Sequence, residues 1–208
     1  MKLSTGKRLI VLAVVLVVID QVIKVAVKTN MSLYEHFSVF GNWFQIFFIE
    51  NEGMAFGMKF GGAVGKFLLS AFRICLCGAL VWWIRSLCRR NAAVADGTSD
   101  EGHVPTGVLV GLTLITAGAF GNIIDCLFYG LIWDYAPFMF GKVVDMFYFP
   151  IINTVWPSWM PFIGGKPFTF FDPVFNFADS CVTVGAIYLL LFQWHFFASA
   201  ESSPKKSK

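Results

Sequence analysis

Leu9 to Val27 is an apolar run broken by only two charges, Asp20 and Lys24, and three further apolar runs follow it along the chain. A helix of about 20 residues crosses the roughly 30 Å of a bilayer's hydrocarbon core. Inside that core every backbone N–H and C=O must be satisfied within the protein, so only helices or closed barrels can span it. The runs therefore predict an all-α membrane protein with four transmembrane helices, at about residues 8–28, 63–84, 104–125 and 174–197. Residues 1–208 read as one integral membrane domain. Its extracytoplasmic segments cover about 29–62 and 126–173, and a flexible tail covers 198–208. Lys2, Lys7 and Arg8 before the first run are also the mark of a secretory leader. The run is too long for one and no small-x-small cleavage site follows, so a retained helix is expected.

Composition narrows the function classes. Charged residues make up 14% of the chain, against about 25% in soluble globular proteins. The net charge of +3 comes without a basic stripe interleaved with aromatics, which argues against nucleic acid as a partner. The five cysteines (Cys75, Cys77, Cys88, Cys126, Cys181) show neither a disulfide framework nor a CxxC spacing, and read as packing residues.

Between the runs, Phe37 to Ile49 is rich in β-formers around a Gly41-Asn42 turn signal and predicts a short hairpin, a small extracytoplasmic β element. Residues 91–103 read as a flexible loop. The segment from Cys126 to Pro173 holds six of the eight prolines together with Trp156 and Trp159. It reads as an irregular, aromatic loop/helix segment at the membrane surface. Nine Lys and Arg residues lie in the N-terminal tail, the loop after the second run and the C-terminal tail, against five on the other side. The positive-inside tendency then puts both termini in the cytoplasm.

With that orientation Asp20, Asp125, Asp145 and Asp179 collect near the outer interface, with the amides of Asn51, Asn122 and Asn176 at a similar level. Asp179 enters the fourth run about five residues in, roughly 7–8 Å deep at helical rise. A carboxylate at membrane depth costs free energy and marks a candidate functional group. Asp20 and Lys24, four apart, share a helix face and read as an ion pair, either structural or part of the site. Asn176, three residues before Asp179, is expected on the same helical face as its hydrogen-bonding neighbour.

Other chemistries lack their signatures. His36, His103 and His195 are scattered and no HExxH, GxSxG or phosphate-binding loop occurs. A Ser180–Lys24 dyad has no spacing to support it. Two carboxylates can share a proton, one acting as base on water while the other donates to a carbonyl. On the residues alone an enzyme of this kind and a small proton-coupled transporter with an outer carboxylate cluster both remain open. A non-catalytic scaffold would leave the polar motifs unexplained.

Five motifs occur in one order: Asp20-Gln21-x-x-Lys24, Glu50-Asn51-Glu52-Gly53-Met54-Ala55-Phe56, Gly121-Asn122-Ile123-Ile124-Asp125, Val143-Val144-Asp145-Met146 and Phe175-Asn176-Phe177-Ala178-Asp179-Ser180. In this the chain resembles the bacterial lipoprotein signal peptidases, the type II signal peptidases, across all four runs. The resemblance implies a membrane aspartic endopeptidase that cleaves diacylglyceryl-modified prolipoproteins before the lipidated cysteine. Asp145 and Asp179 would be its catalytic residues. Asn51, Gly53, Asn122, Asp125, Asn176, Asp20 and Lys24 would bind substrate or support the dyad. No metal or organic cofactor is implied. The implied partners are lipid-modified prolipoproteins, membrane lipids and globomycin-type inhibitors, and the implied location is the bacterial inner membrane with the site facing outward. Two features depart from the family pattern. Cys126 stands where an arginine is expected, with Lys142 as a candidate substitute, and the 33 residues between Asp145 and Asp179 form a longer stretch than usual.

Overall fold

The structure, a computed structural model, describes residues 4–52, 62–100 and 102–201. Its helices are α1 (Thr5–Asn30), α2 (Gly62–Ala95), α3 (Thr106–Ile124), a short α4 (Gly130–Ile132), α5 (Phe177–Phe192) and α6 (Trp194–Glu201). Its strands are β1 (His36–Phe40), β2 (Phe44–Asn51), β3 (Val143–Tyr148), β4 (Ile152–Val155), β5 (Pro167–Phe170) and β6 (Val174–Phe175). Among the described residues three helical stretches are long and apolar enough to cross a membrane: Thr5–Asn30, Gly62–Ala95 and Thr106–Ile132. The fourth, α5, has 16 residues. That is about 24 Å of helix, short of the hydrocarbon thickness.

The chain forms two compact units, the first built from residues 1–20, 68–124 and 178–208 and the second from 21–67 and 125–177. The first is helical. Its core joins Leu9 of α1, Leu87 of α2, Val108, Leu109 and Leu112 of α3 and Leu189 of α5, with Val104 just before α3. Small residues let α3 and α5 approach closely, as they do in membrane helix pairs generally. A Cβ on Gly111 would lie 2.5 Å from Leu189, and one on Gly118 would lie 2.3 Å from the Ala178 carbonyl oxygen. Thr113 and Thr116 donate to the Leu109 and Leu112 carbonyls at 2.7 Å, which satisfies their buried hydroxyls inside an apolar helix.

Helix α2 runs eleven residues past the expected end at 84, into the stretch read as a loop. Its stop is Gly97, at φ +69°, where the Thr98 N–H reaches the Ala93 carbonyl. That left-handed closure is the usual end of a helix and suits glycine. Asn91 then holds the returning chain through both the N–H and the carbonyl of Val104.

The second unit holds the strands. β1 and β2 form the expected hairpin around Gly41, which sits at φ +50°. The hairpin belongs to a larger antiparallel sheet of order β1-β2-β3-β6. β4 and β5 form a separate two-stranded sheet. The segment from 126 to 173, read as an irregular loop/helix stretch, carries a helical turn and loops and also three strands, β3, β4 and β5. Residues 174–175, read as the start of the fourth run, pair with Tyr148 and Phe147. The helix starts only at Phe177. The β3–β6 pairs link residues 26 to 28 apart and the β2–β3 pairs residues 92 to 103 apart, which no local pattern reports.

Gly118 and Gly78 provide a paired test of the α3–α5 approach. Gly118→Ala meets the Ala178 backbone, whereas an Ala at Gly78 meets nothing within 4 Å. Gly118→Ala should lower stability by about 1–3 kcal/mol, the usual cost of overpacking, in an unfolding titration of the purified membrane protein. Gly78→Ala should be neutral or slightly stabilising.

Candidate active site

The four expected carboxylates fall two to each unit, Asp20 and Asp179 in the first, Asp125 and Asp145 in the second. In the first unit Asp179 lies in the opening turn of α5. An acid there is favoured by the unsatisfied N–H groups of the helix start. Asn122, near the end of α3, donates its amide to Asp179 Oδ1 at 2.8 Å. Asp20 accepts the backbone N–H of Ala178 at 2.9 Å and so holds the same turn. Gly121 makes room for this, since a Cβ on it would lie 2.6 Å from the Asp20 carboxylate.

In the second unit Asp145 sits buried on β3, an inner strand between β2 and β6. Asn51 on β2 is diagonal to it, because Ile49 is paired with Asp145 and Asn51 with Val143. Residues two apart on one strand share a face. The Asn51 amide donates to Asp145 Oδ2 at 3.2 Å, and the Asn176 amide donates to Oδ1 at 2.6 Å. The expectation that Asn176 shares a helical face with Asp179 is corrected here. Asn176 precedes α5 and is not helical, and its amide engages Asp145.

Asp125 does not end a helix, as its position in the third run suggested. It opens a π-helical turn, Asp125–Tyr129, that continues α3. The extra residue in such a turn re-aims a side chain. Asp125 is paired with Lys24 at 2.7 Å, with the side chains 0% and 1% exposed. Gln21 donates to Asp125 Oδ1 at 2.9 Å and accepts from the Tyr129 hydroxyl at 3.1 Å. The Val144 N–H also points at Asp125, at 3.4 Å, so this carboxylate braces the strand that carries Asp145.

A second charged group surrounds Glu50, which is paired with Lys28 and, at 3.3 Å, with Lys142. Burial pushes the Glu50 carboxyl up, but the two ammonium groups outweigh it and hold it below the usual carboxylate range. The Lys28 and Lys142 heads lie 5.1 and 5.7 Å from the centre of the Tyr135 ring. Burial, with smaller contributions from neighbouring acids, pushes the Tyr135 hydroxyl up to about 12, so it stays a neutral phenol. Glu50, Glu52, Lys66, Tyr135, Phe140 and Lys142 line a cavity of about 630 Å³.

Tyr129 and Lys28 are not singled out by the sequence, and Gln21 enters only as part of the Asp20-Gln21-x-x-Lys24 motif. The signal for two of them was present, since Gln21, Lys24 and Lys28 recur at helical spacing along one face of α1. Cys126 lies inside the π-helical turn and is 2% exposed, and its carbonyl accepts the Gly141 N–H. An arginine side chain has no room to be buried there without displacement, and Lys142, its candidate substitute, is engaged by Glu50. Gly53 lies outside the described residues. Among the described residues no group of three or more His, Cys, Asp or Glu is placed to hold a metal ion.

The chain is similar to known proteins. A family model described as signal peptidase (SPase) II matches residues 12–195. The lipoprotein signal peptidase of Porphyromonas gingivalis is 44% identical over 205 residues, covering 91% of this chain and 84% of that protein. That of Amoebophilus asiaticus is 35% identical over 188 residues, covering 86% and 75%. Among solved structures, one described as a bacterial membrane enzyme solved by the in meso method at 2.3 Å superimposes with a TM-score of 0.61. It is 25% identical and covers 97% of this chain and 95% of its own.

Two predictions concern the supports. Lys24→Met strands the buried Asp125 carboxylate and should cost about 3–5 kcal/mol. In an unfolding titration, Lys24→Met combined with Asp125→Leu should recover part of that loss. Glu50 links stability to pH. Its pKa is depressed in the folded state, so its stabilisation is present above the unfolded value of about 4.3 and is lost as pH falls through the folded one. The stability gap between wild type and Glu50→Gln should therefore be open at pH 7 and close below about pH 4, read by thermal unfolding across that range.

Proposed function

The chain belongs to the signal peptidase II family of membrane aspartic peptidases, and on that premise we propose that it removes signal peptides from diacylglyceryl-modified prolipoproteins, with Asp145 and Asp179 as the catalytic pair. The observation that best supports the pair is how each carboxylate is held. Asp145 receives the amides of Asn51 and Asn176, and Asp179 receives that of Asn122. Neutral amide donors orient a carboxylate without cancelling its charge, which suits a group that must act on water. Asp125 is paired with a lysine and acts as a brace. Asn176, which holds Asp145, is three residues before Asp179 in the chain.

In the proposed reaction one carboxylate is ionised and the other protonated. The ionised one takes a proton from water as its oxygen attacks the carbonyl carbon preceding the lipidated cysteine. The protonated one donates to the carbonyl oxygen. The tetrahedral intermediate then collapses, the C–N bond breaks and the cysteine amine leaves with a proton. The count of positive residues supports both termini in the cytoplasm and the site at the outer leaflet of the bacterial inner membrane, where a lipidated cysteine lies. Globomycin-type cyclic peptides would compete with the substrate. No cofactor takes part in these steps.

The test uses the full chain and a lipid-modified precursor, with products mapped by mass. Asp145→Asn and Asp179→Asn should each lower kcat by about 10²–10⁴-fold, the scale of general acid–base catalysis, with fold retained. Substantial turnover by either variant contradicts the assignment.

A further inference from the structure

The β4–β5 hairpin has no part in the chemistry proposed above, and its surface is unusual for a segment in water. Residues 149–165 carry no charge, and Lys166 marks the base of the second strand. Trp159 is 78% exposed, Phe162 93% and Val155 60%, with Ile151, Ile152 and Phe170 also open to the outside. Large apolar side chains exposed in this number within one short segment mark a candidate interaction site.

The tip is ordered by its own backbone. Ile152, Asn153, Thr154 and Val155 pair in register with Phe170, Thr169, Phe168 and Pro167. Trp156 packs against Phe168 with ring centres 4.5 Å apart. Trp156 N–H donates to the Lys166 carbonyl at 3.0 Å, Gly165 N–H returns to the Trp156 carbonyl at 2.9 Å, and Gly164 N–H reaches that of Met160 at 3.0 Å. Phe162 stands in the left-handed region, at φ +68°, with its ring outward. A bulky residue in that conformation is uncommon. Here both the conformation and the exposure are unfavourable in water alone.

We propose that this hairpin is a membrane-surface anchor that seats Trp159 and Phe162 in the interfacial layer of the bilayer its own helices cross. Three features select lipid over a protein partner. First, the segment holding the hairpin starts just after Ile132, where a candidate span ends, so it is tethered at the membrane. Only six residues separate Phe170 from Phe177, where α5 starts, which limits the gap to about 25 Å of extended chain. Second, the tip is Trp, Met, Pro and Phe, and aromatic rings of this kind collect at the membrane–water interface. Third, the single lysine, Lys166, sits where the tip loop joins β5, and from there its stem can lie along apolar surface with its head in water. Protein interfaces carry a polar rim, and the 17 residues of 149–165 supply no charge for one. The anchor does not depend on which residues are catalytic.

The test is fluorescence of the full chain in phosphatidylcholine–phosphatidylglycerol nanodiscs, with and without acyl chains brominated near the headgroup. The difference between wild type and Trp159→Phe isolates the signal of Trp159. The anchor predicts that brominated lipid quenches this difference signal at least twofold while aqueous iodide barely affects it. Trp159→Phe combined with Phe162→Trp moves the probe three residues along the tip and should give the same result, with precursor cleavage as the check on folding. Quenching by iodide and not by brominated lipid means that the tip is in water and overturns the proposal. Shielding from both quenchers means that a protein, including a second copy of this chain, covers the tip, and overturns it equally.

Discussion

A chain this apolar can hold carboxylates inside its fold only if each is met by a donor, and that requirement organises the structure. Asp20 is met by a backbone N–H, Asp125 by Lys24 and Gln21, Asp145 by two amides and Asp179 by one. An unpaired buried charge would cost several kcal/mol, comparable to the whole stability of a domain. The Lys24 cation meets the acid that braces β3, and amides are among the donors to the two acids assigned to catalysis.

The sheet provides the positions for the second unit's donors. Asp145 and Asn51 meet because β2 pairs with β3 in a register that puts them diagonally on one face. Asn176 reaches Asp145 because β6 pairs with the far edge of β3. A shift of one residue in either pairing would turn a donor to the opposite face. Asp125, through the Val144 N–H, adds a further tie to that register.

Much of this was legible in the sequence. Three spans followed from long apolar runs, and the β1–β2 hairpin followed from β-formers flanking Gly41 and Asn42. Asp145, Asp179 and the asparagines stood out as polar groups among apolar neighbours. What was not legible depends on distant partners. Helix α2 continues to Ala95 because nothing before Gly97 ends it. Val174 and Phe175 look like the apolar start of a helix, but β3 recruits them into the sheet. Asn176 therefore falls outside the helix, and its partner changes. Lys24 joins Asp125 from the far end of the chain, an ion pair with no local spacing to announce it.

The central claim is that water, activated by two aspartates, attacks the substrate directly. It is tested most directly by cleaving a lipid-modified precursor with the full chain in the presence of hydroxylamine and weighing the released signal peptide. Direct attack by water predicts a free carboxylate at the new C-terminus and no mass added to the protein. A hydroxamate at that terminus, or a trapped peptide–enzyme adduct, would reveal a covalent intermediate and contradict the account.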